Sequence, residues 1–270
     1  MSTLTKIANN KKLNIIFLAF IAFIALGLPD GLLGVGWPSI RTDFSIPLDA
    51  IGTFMIASVS GYIFSSFMSG FLLSRMGVGR MLITSCFLTG CALIGFTLVQ
   101  DWWMMVLLAI LAGLGAGAID AGLNTFIAAS FNERTMQWLH ASWGIGITLG
   151  PIIMTIGLES LQTWKFGYRV VGGFQFLLTL IFLVSLPIWK QNNKTANLKG
   201  EHEHKEYKTS LGKTLTQPQV WISLLIFFFY VGGEIGLGTW AYTLLTEARG
   251  VDTFLAGLFA GSYWFTFTIG

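Results

Sequence analysis

The stretch 113–124 reads Gly-Leu-Gly-Ala-Gly-Ala-Ile-Asp-Ala-Gly-Leu-Asn and places an acid inside a run of small and apolar residues. Gly113 and Gly117 are four positions apart, so they lie on one side of a helix where a second helix can approach closely. Asp120 and Asn124 are also four apart and share a face. A charged carboxylate in hydrocarbon costs roughly 3 kcal/mol. We therefore expect Asp120 to face a cavity, a partner or a substrate path inside a membrane.

The apolar composition extends this membrane interpretation to the whole chain. Of the 270 residues, 54% are hydrophobic and 11% are charged, whereas a soluble domain is about 25% charged. A bilayer span needs about 20 apolar residues. Such runs, called spans 1 to 8, lie at 13–36, 49–73, 79–98, 103–130, 137–158, 168–188, 219–245 and 254–270. Span 8 is at the short limit, and Asp30 in span 1 and Glu234 in span 7 are two further acids in apolar surroundings.

The Lys and Arg residues predict the orientation of the chain. With a cytoplasmic N-terminus, all but four of the 16 lie in inner segments, as membrane proteins prefer. The four on the outer side are Arg41, Lys165, Arg169 and Arg249. The formal net charge of +3 then reflects inner loops, and no nucleic-acid partner is expected. We predict a multi-pass protein of the cell (plasma) membrane. Five tryptophans near span ends are expected to lie at the membrane interface; they are Trp102, Trp103, Trp164, Trp189 and Trp221.

One long polar segment, 190–218, separates six spans from the rest and predicts the domain organisation. Residues 1–189 are expected to form an N-terminal six-helix bundle, 190–218 a cytoplasmic linker, and 219–270 the start of a C-terminal bundle. His202 and His204 alternate with acids in this linker, which is the composition of a possible metal site. A solvated, mixed-charge linker is the favoured interpretation, so neither a metal nor a cofactor is predicted.

Between spans 2 and 3, residues 70–80 read Gly-Phe-Leu-Leu-Ser-Arg-Met-Gly-Val-Gly-Arg. The spacing of glycines and cations resembles the loop signature of the major facilitator superfamily, in which a glycine is followed by an acid, a basic residue, a glycine and another basic residue. The matching residues are Gly70, Ser74, Arg75, Gly77 and Arg80. Ser74 departs from the pattern, because the superfamily usually has Asp there. The alternative is an ordinary turn with cations on the cytoplasmic side.

Span 4 is similar to the fourth helix of the fucose–galactose–glucose:proton symporter family, which has a Gly-rich run, an acid and an Asn four residues later. Those relatives carry Glu where this chain has Asp120, and often Pro where it has Thr125. The resemblance implies that Asp120 is the first candidate to carry the proton and that Asn124 contacts the sugar. The alternative is an acid that only bonds a neighbouring helix.

Spans 1, 6 and 7 supply the remaining candidates. Asp30 matches an Asp of the family's first helix and is the second candidate for the proton; the alternative is a solvated residue at the outer end of its span. Pro29 and the glycines beside it are expected to interrupt that helix. In span 7, a Tyr-Val-Gly run followed by Glu234 and Trp240 resembles the same family. The resemblance implies sugar contacts for Gln175, Glu234 and Trp240, although Trp240 could equally be an interface residue.

The resemblance implies an all-α membrane protein with the major facilitator fold, here a complete N-terminal six-helix bundle plus the first one to two helices of the second. Because that family has twelve spans, the chain is expected to be a C-terminally truncated member. The expected function is proton-coupled symport of a hexose-like sugar by alternating access, inactive in the truncated chain. The expected partners are the sugar, the proton and the lipid bilayer, and the protein is expected to be a monomer and not an enzyme. One alternative is a drug or metabolite exporter, supported by Gly150-Pro151 in span 5; the other is a non-transporting sensor or remnant.

Overall fold

The computed structural model describes residues 3–199 and 211–270, including the side chains of 12–189 and 212–270. All regular elements in these ranges are helical, which confirms the predicted all-α class. They are α1 (Thr3–Asp43), α2 (Ile51–Phe96), α3 (Trp102–Ser130), α4 (Glu133–Leu161), α5 (Lys165–Lys199), α6 (Leu211–Leu215), α7 (Pro218–Thr243) and α8 (Thr253–Ile269). A 3₁₀ turn, Leu48–Ala50, precedes α2, and a π-helical turn, Leu244–Ala248, follows α7.

Six helices in the described ranges are long and apolar enough to cross a membrane. One of them, the 49-residue stretch Leu48–Phe96, is more than twice the length of about 20 residues that a bilayer requires. The chain turns within it at Gly77, where φ is 72° and ψ is 162°, a conformation essentially restricted to glycine. α2 therefore contains spans 2 and 3. The apolar helix α8 has 17 residues and corresponds to span 8.

Successive spans turn at two opposite faces of the protein. The Asp43 face comprises residues 43–51, 97–102, 161–165 and 244–253. The Arg75 face comprises residues 74–80, 130–133 and 211–218. Two groups of buried apolar side chains form the core, one nearer each face. Many large apolar side chains remain on the outside, such as Phe67, which is 90% exposed, as expected for a surface in contact with lipid.

Three of the tryptophans predicted to lie at the membrane interface pack in the core, and their depth in the membrane stays a prediction. Trp102, Trp164 and Trp189 are only 9%, 1% and 1% exposed, because they pack inside the core. Trp164 meets the ring of Tyr168 edge-on, and Trp189 meets that of Phe182 in the same way. In contrast, Trp103 and Trp221 are 64% and 54% exposed.

α1 and α4 pack along two facing sets of small residues. A Cβ atom on Gly150 would lie 2.7 Å from the Cα atom of Gly31, and Gly146 lies against the backbone of Gly27. α1 is continuous past Pro29, so the predicted interruption of this helix is wrong. The glycines of α1 instead leave room for the backbone of α4, which is a common role of small residues between membrane helices.

The helices after the first bundle pack on its members. α7 contacts α1, and α8 contacts α4. The helix α5 continues past residue 189 to Lys199, and α6 lies within the segment 190–218; the predicted domain boundaries stay a prediction. His202 and His204 lie outside the described residues.

Candidate functional site

Asp120 is the centre of a hydrogen-bonded group between α2 and α3. One carboxylate oxygen of Asp120 accepts the hydroxyl of Tyr62, and the other accepts Nδ2 of Asn124 at 3.0 Å. All three side chains are half-buried. The amide oxygen of Asn124 is buried without a hydrogen-bond partner, which is costly for a polar atom. The helical spacing of Asp120 and Asn124 thus brings them together as the sequence predicts.

Asp30 faces the same region from α1. Its Oδ2 atom accepts a hydrogen bond from Nε1 of Trp143 on α4 at 3.3 Å. Its side chain is exposed, although the residue lies well inside α1, which continues to Asp43. Asp120 on α3 lies within electrostatic range of Asp30. The two carboxyl groups and their hydrogen-bond donors come from four different helices or helix segments.

Within the described part of the chain, neither carboxyl group is paired with a cation. The ion pair that the structure shows is between Arg41 and Glu247, at the Asp43 face. Asp30 and Asp120 have only neutral donors, namely an indole, a phenol and an amide. A carboxyl group in these surroundings can accept or release a proton without breaking a salt bridge.

Close helix packing fixes the position of Tyr62. A Cβ atom on Gly113 would lie 2.9 Å from the backbone nitrogen of Tyr62, and Gly117 lies against its carbonyl oxygen. The backbone of Tyr62 is therefore enclosed between these two glycines of α3. The predicted small-residue stripe on span 4 is confirmed, and its effect is to bring the phenol to Asp120.

The other predicted sugar contacts lie apart from this group. Gln175 is fully buried on α5 and donates from Nε2 to the carbonyl oxygen of Ala25 at 2.8 Å. Glu234 is partly exposed on α7, and its backbone carbonyl accepts the hydroxyl of Tyr263 at 3.1 Å. Trp240 is 36% exposed. The structure thus joins Asp120 and Asn124 directly and shows no hydrogen bond from Gln175, Glu234 or Trp240 to either of them; the contact of these three residues with a sugar stays a prediction.

The loop motif at the Arg75 face contains a sharp turn at Gly77. Ser74 donates from its hydroxyl to the carbonyl oxygen of Phe71 at 2.8 Å, and the guanidinium of Arg75 lies 4.4 Å from the centre of the Phe71 ring. Gly70 has open space around it, and Arg80 is exposed. Ser74 therefore bonds within its own turn of helix.

Sequence reasoning missed Tyr62 and Trp143. A signal for Tyr62 exists, because Ser58, Tyr62, Ser65 and Ser66 recur at helical spacing in an otherwise apolar span. Ser66 also bonds α3, through the carbonyl oxygen of Gly117 at 3.3 Å. Trp143 gives a weaker signal, since its only polar atom is the indole nitrogen.

Other parts of the surface carry fewer polar groups that could bind a ligand. A cavity of about 470 Å³ lies between α1 and α5, away from the carboxyl pair. It is lined mainly by apolar side chains, including Phe17, Leu180 and Val184. In the described residues, no three His, Cys, Asp or Glu side chains are grouped as a metal site requires.

Comparison with known proteins gives a family and several distant relatives. The model described as Major Facilitator Superfamily matches residues 15–270. Sodium-dependent glucose transporter 1 of Homo sapiens is 22% identical over 285 residues, covering 91% of this chain and 53% of the relative. Glucose/mannose transporter GlcP of Bacillus subtilis is 23% identical over 177 residues, covering 65% of this chain and 44% of the relative.

A third relative, Bypass of stop codon protein 6 of Saccharomyces cerevisiae, is 21% identical over 269 residues, covering 93% of this chain and 54% of the relative. The chain spans about half the length of the curated relatives it matches. The relatives of Homo sapiens and Bacillus subtilis are named as transporters. The matched range begins within span 1 and includes all later spans, and the chain belongs to the Major Facilitator Superfamily.

Proposed function

We propose that the protein takes up a hexose-like sugar together with a proton, as a monomer in the plasma membrane with its N-terminus in the cytoplasm. Two glucose transporters among the relatives support the sugar class. The observation that carries the proposal is the Asp120 group: a carboxyl group inside a membrane bundle, held by Tyr62 and Asn124 and without a cation partner among the described residues.

Asp120 is the proposed proton carrier because its partners suit both of its protonation states. The ionised carboxylate accepts from Tyr62 and Asn124. A protonated carboxyl group needs an acceptor for its own hydrogen, and a phenol oxygen can accept as well as donate. Asp30 ranks second because its indole partner can only donate a hydrogen bond. The indole cannot accept one from the protonated carboxyl group.

Coupling follows if the sugar binds best when the site is protonated. Two ligands that favour the same state raise each other's affinity by the same factor. Asn124 supplies amide groups beside the carboxyl group, and Glu234 and Trp240 of α7 are proposed contacts from the second bundle. Alternating access then carries the loaded site from one side of the membrane to the other, as the two bundles rock against each other.

The test measures accumulation of a labelled hexose in vesicles containing the whole protein, driven by an imposed pH gradient. We expect Asp120→Asn to abolish uphill accumulation and to retain exchange of sugar across the membrane, because the neutral amide can still hydrogen-bond. Asp101→Asn is the matched control. Asp101 caps the start of α3 by accepting the backbone N–H of Trp103 at 2.8 Å, and Asn is an equally good cap.

Two outcomes would reject parts of the proposal. Uphill uptake by Asp120→Asn at the rate of Asp101→Asn would remove Asp120 as the proton carrier. A sodium gradient that drives accumulation where a pH gradient does not would replace the proton with sodium, the ion in the name of the human relative.

A further inference from the structure

α7 packs on the first bundle at the Asp43 face. The backbones of α1 and α7 approach so closely there that a Cβ atom on Gly34 would lie 2.8 Å from the carbonyl oxygen of Gly238. Tyr242, near the end of α7, is 3% exposed. Toward the Arg75 face, every large apolar side chain in 221–230 is more than half exposed. Among the described residues, α7 is thus joined to the bundle at one face and separate from it toward the other.

An ion pair joins α1 to the turn after α7 at this closed face. One guanidinium nitrogen of Arg41, in the last turn of α1, donates to both carboxylate oxygens of Glu247 at 2.7 and 2.8 Å. The two residues are 206 positions apart, so the contact holds distant parts of the chain together. Their side chains are 28% and 37% exposed. An exposed ion pair contributes little to stability, because water solvates the separated charges; such a pair can therefore open easily.

A second contact joins α8 to α4 at the same face. The hydroxyl of Thr253, in the first turn of α8, donates to the carboxylate of Glu159 near the end of α4. Next along these helices, Gly257 lies against the side chain of Thr155. Each of the two helices after the linker segment is therefore held to a different helix of the first bundle, at the same face of the protein.

We propose that the Arg41–Glu247 ion pair, with the Glu159–Thr253 hydrogen bond, is a gate that holds the Asp43 face closed and opens when the bundles separate. The inference rests on the proposed transport cycle, in which the site must be reached from each side in turn. Glu247 lies on the π-helical turn, and Gly250 after it has a φ of 64°. π-helical turns often occur at functional positions, and this one carries the acid of the gate.

The gate can be tested with a thiol placed behind it. Thr155 is 5% exposed and covered by Gly257 of α8. A membrane-impermeant maleimide should therefore reach Thr155→Cys only when the Asp43 face opens. The experiment uses the whole protein with Cys86→Ala and Cys91→Ala, and it measures the rate of labelling.

We expect Arg41→Ala and Glu247→Ala each to raise the labelling rate by up to about fivefold, equivalent to about 1 kcal/mol. Arg41→Glu combined with Glu247→Arg should return the rate to that of the parent. Arg249→Ala is the control, because Arg249 is exposed, lies two positions from Glu247 and has no ion pair among the described residues. No rise in either single variant, an equal rise in Arg249→Ala, or no return in the swapped pair would overturn the gate.

A crosslinked variant covers the case in which the single variants do not fold. Joining Arg41→Cys to Glu247→Cys with a short bifunctional thiol reagent should lower labelling of Thr155→Cys below that of the parent and stop transport. Labelling that is unaffected by the crosslink would also overturn the gate. The labelling rate is measured independently of sugar transport. If the parent protein failed to accumulate sugar, the proposed function would be rejected, but the labelling rates would still test the gate.

Discussion

A methyl group at position 113 tests whether the spacing of α2 and α3 holds Tyr62 against Asp120. In Gly113→Ala the new carbon would lie 2.8 Å from the carbonyl carbon of Ser58 and 2.9 Å from the nitrogen of Tyr62. Carbon atoms prefer separations of about 3.5–4.0 Å. The obstructing atoms are backbone, and the nearest is the carbonyl oxygen of Ser58. α2 therefore has to move away by more than about 1 Å to restore an ordinary separation. Overpacking of this kind costs about 1–3 kcal/mol.

Gly173→Ala is the matched control. Gly173 lies within α5, and a Cβ atom there would meet nothing within 4 Å. Alanine is favoured over glycine in a helix by about 1 kcal/mol at both positions, so the difference between the two variants isolates the steric cost. We expect the free energy of unfolding of Gly113→Ala to be about 1–3 kcal/mol below that of Gly173→Ala.

The assay is unfolding of the purified protein in mixed micelles by increasing fractions of a denaturing detergent, followed by intrinsic fluorescence. Proton-driven sugar accumulation is the second measurement, and we expect it to fall in Gly113→Ala because the displaced Tyr62 no longer reaches Asp120. Equal stability of the two alanine variants, together with unchanged accumulation in both, would refute the reasoning from helix spacing.

Two further predictions concern a buried amide and the turn at the Arg75 face. Gln175→Leu should change the free energy of unfolding by no more than about 1 kcal/mol, because the lost bond to Ala25 is offset by removal of a buried amide oxygen that has no partner. The sugar affinity of a normally folded Gln175→Leu variant tests the sugar contact predicted from the sequence: a fall in affinity supports the contact, and an unchanged affinity rejects it. Gly77→Ala should destabilise the protein by about 1–3 kcal/mol, because φ of 72° with ψ of 162° is a conformation essentially restricted to glycine. The control Gly70→Ala has open space around it, and equal stability of the two variants would contradict the argument from φ.

Much of the fold is predictable because membrane-spanning helices can be recognised by the length of their apolar runs. Runs of about 20 apolar residues locate the spans, and the glycine at position 77 locates the turn inside α2. The structural role of Pro29 and its neighbouring glycines cannot be read from these residues alone. The same residues can interrupt a helix or let the backbone of a second helix approach closely. The facing glycines 146 and 150 of α4 decide between the two, but that pairing becomes visible only when the helices are placed together.

The site is predictable only where its residues share one helix. Asp120 and Asn124 are found by spacing, because residues four apart meet on a helical surface. Tyr62 is 58 positions from Asp120, and no periodicity links residues on different helices. The burial of Trp164 and Trp189 is not predicted for a related reason. A tryptophan near a span end can face either the lipid or the core, and its position in the sequence does not tell which of the two it faces.

Asp120 and Glu247 differ in whether a cation lies beside them, and the proposed cycle explains this difference. A cation beside Asp120 would hold it in the charged form and prevent the gain and loss of a proton; its actual partners, Tyr62 and Asn124, are neutral. Glu247 has Arg41 as its partner at an exposed face, where water can replace each charge when the pair separates. In the proposed cycle, the acid that changes its charge thus has neutral partners, and the acid that separates from its partner lies near water.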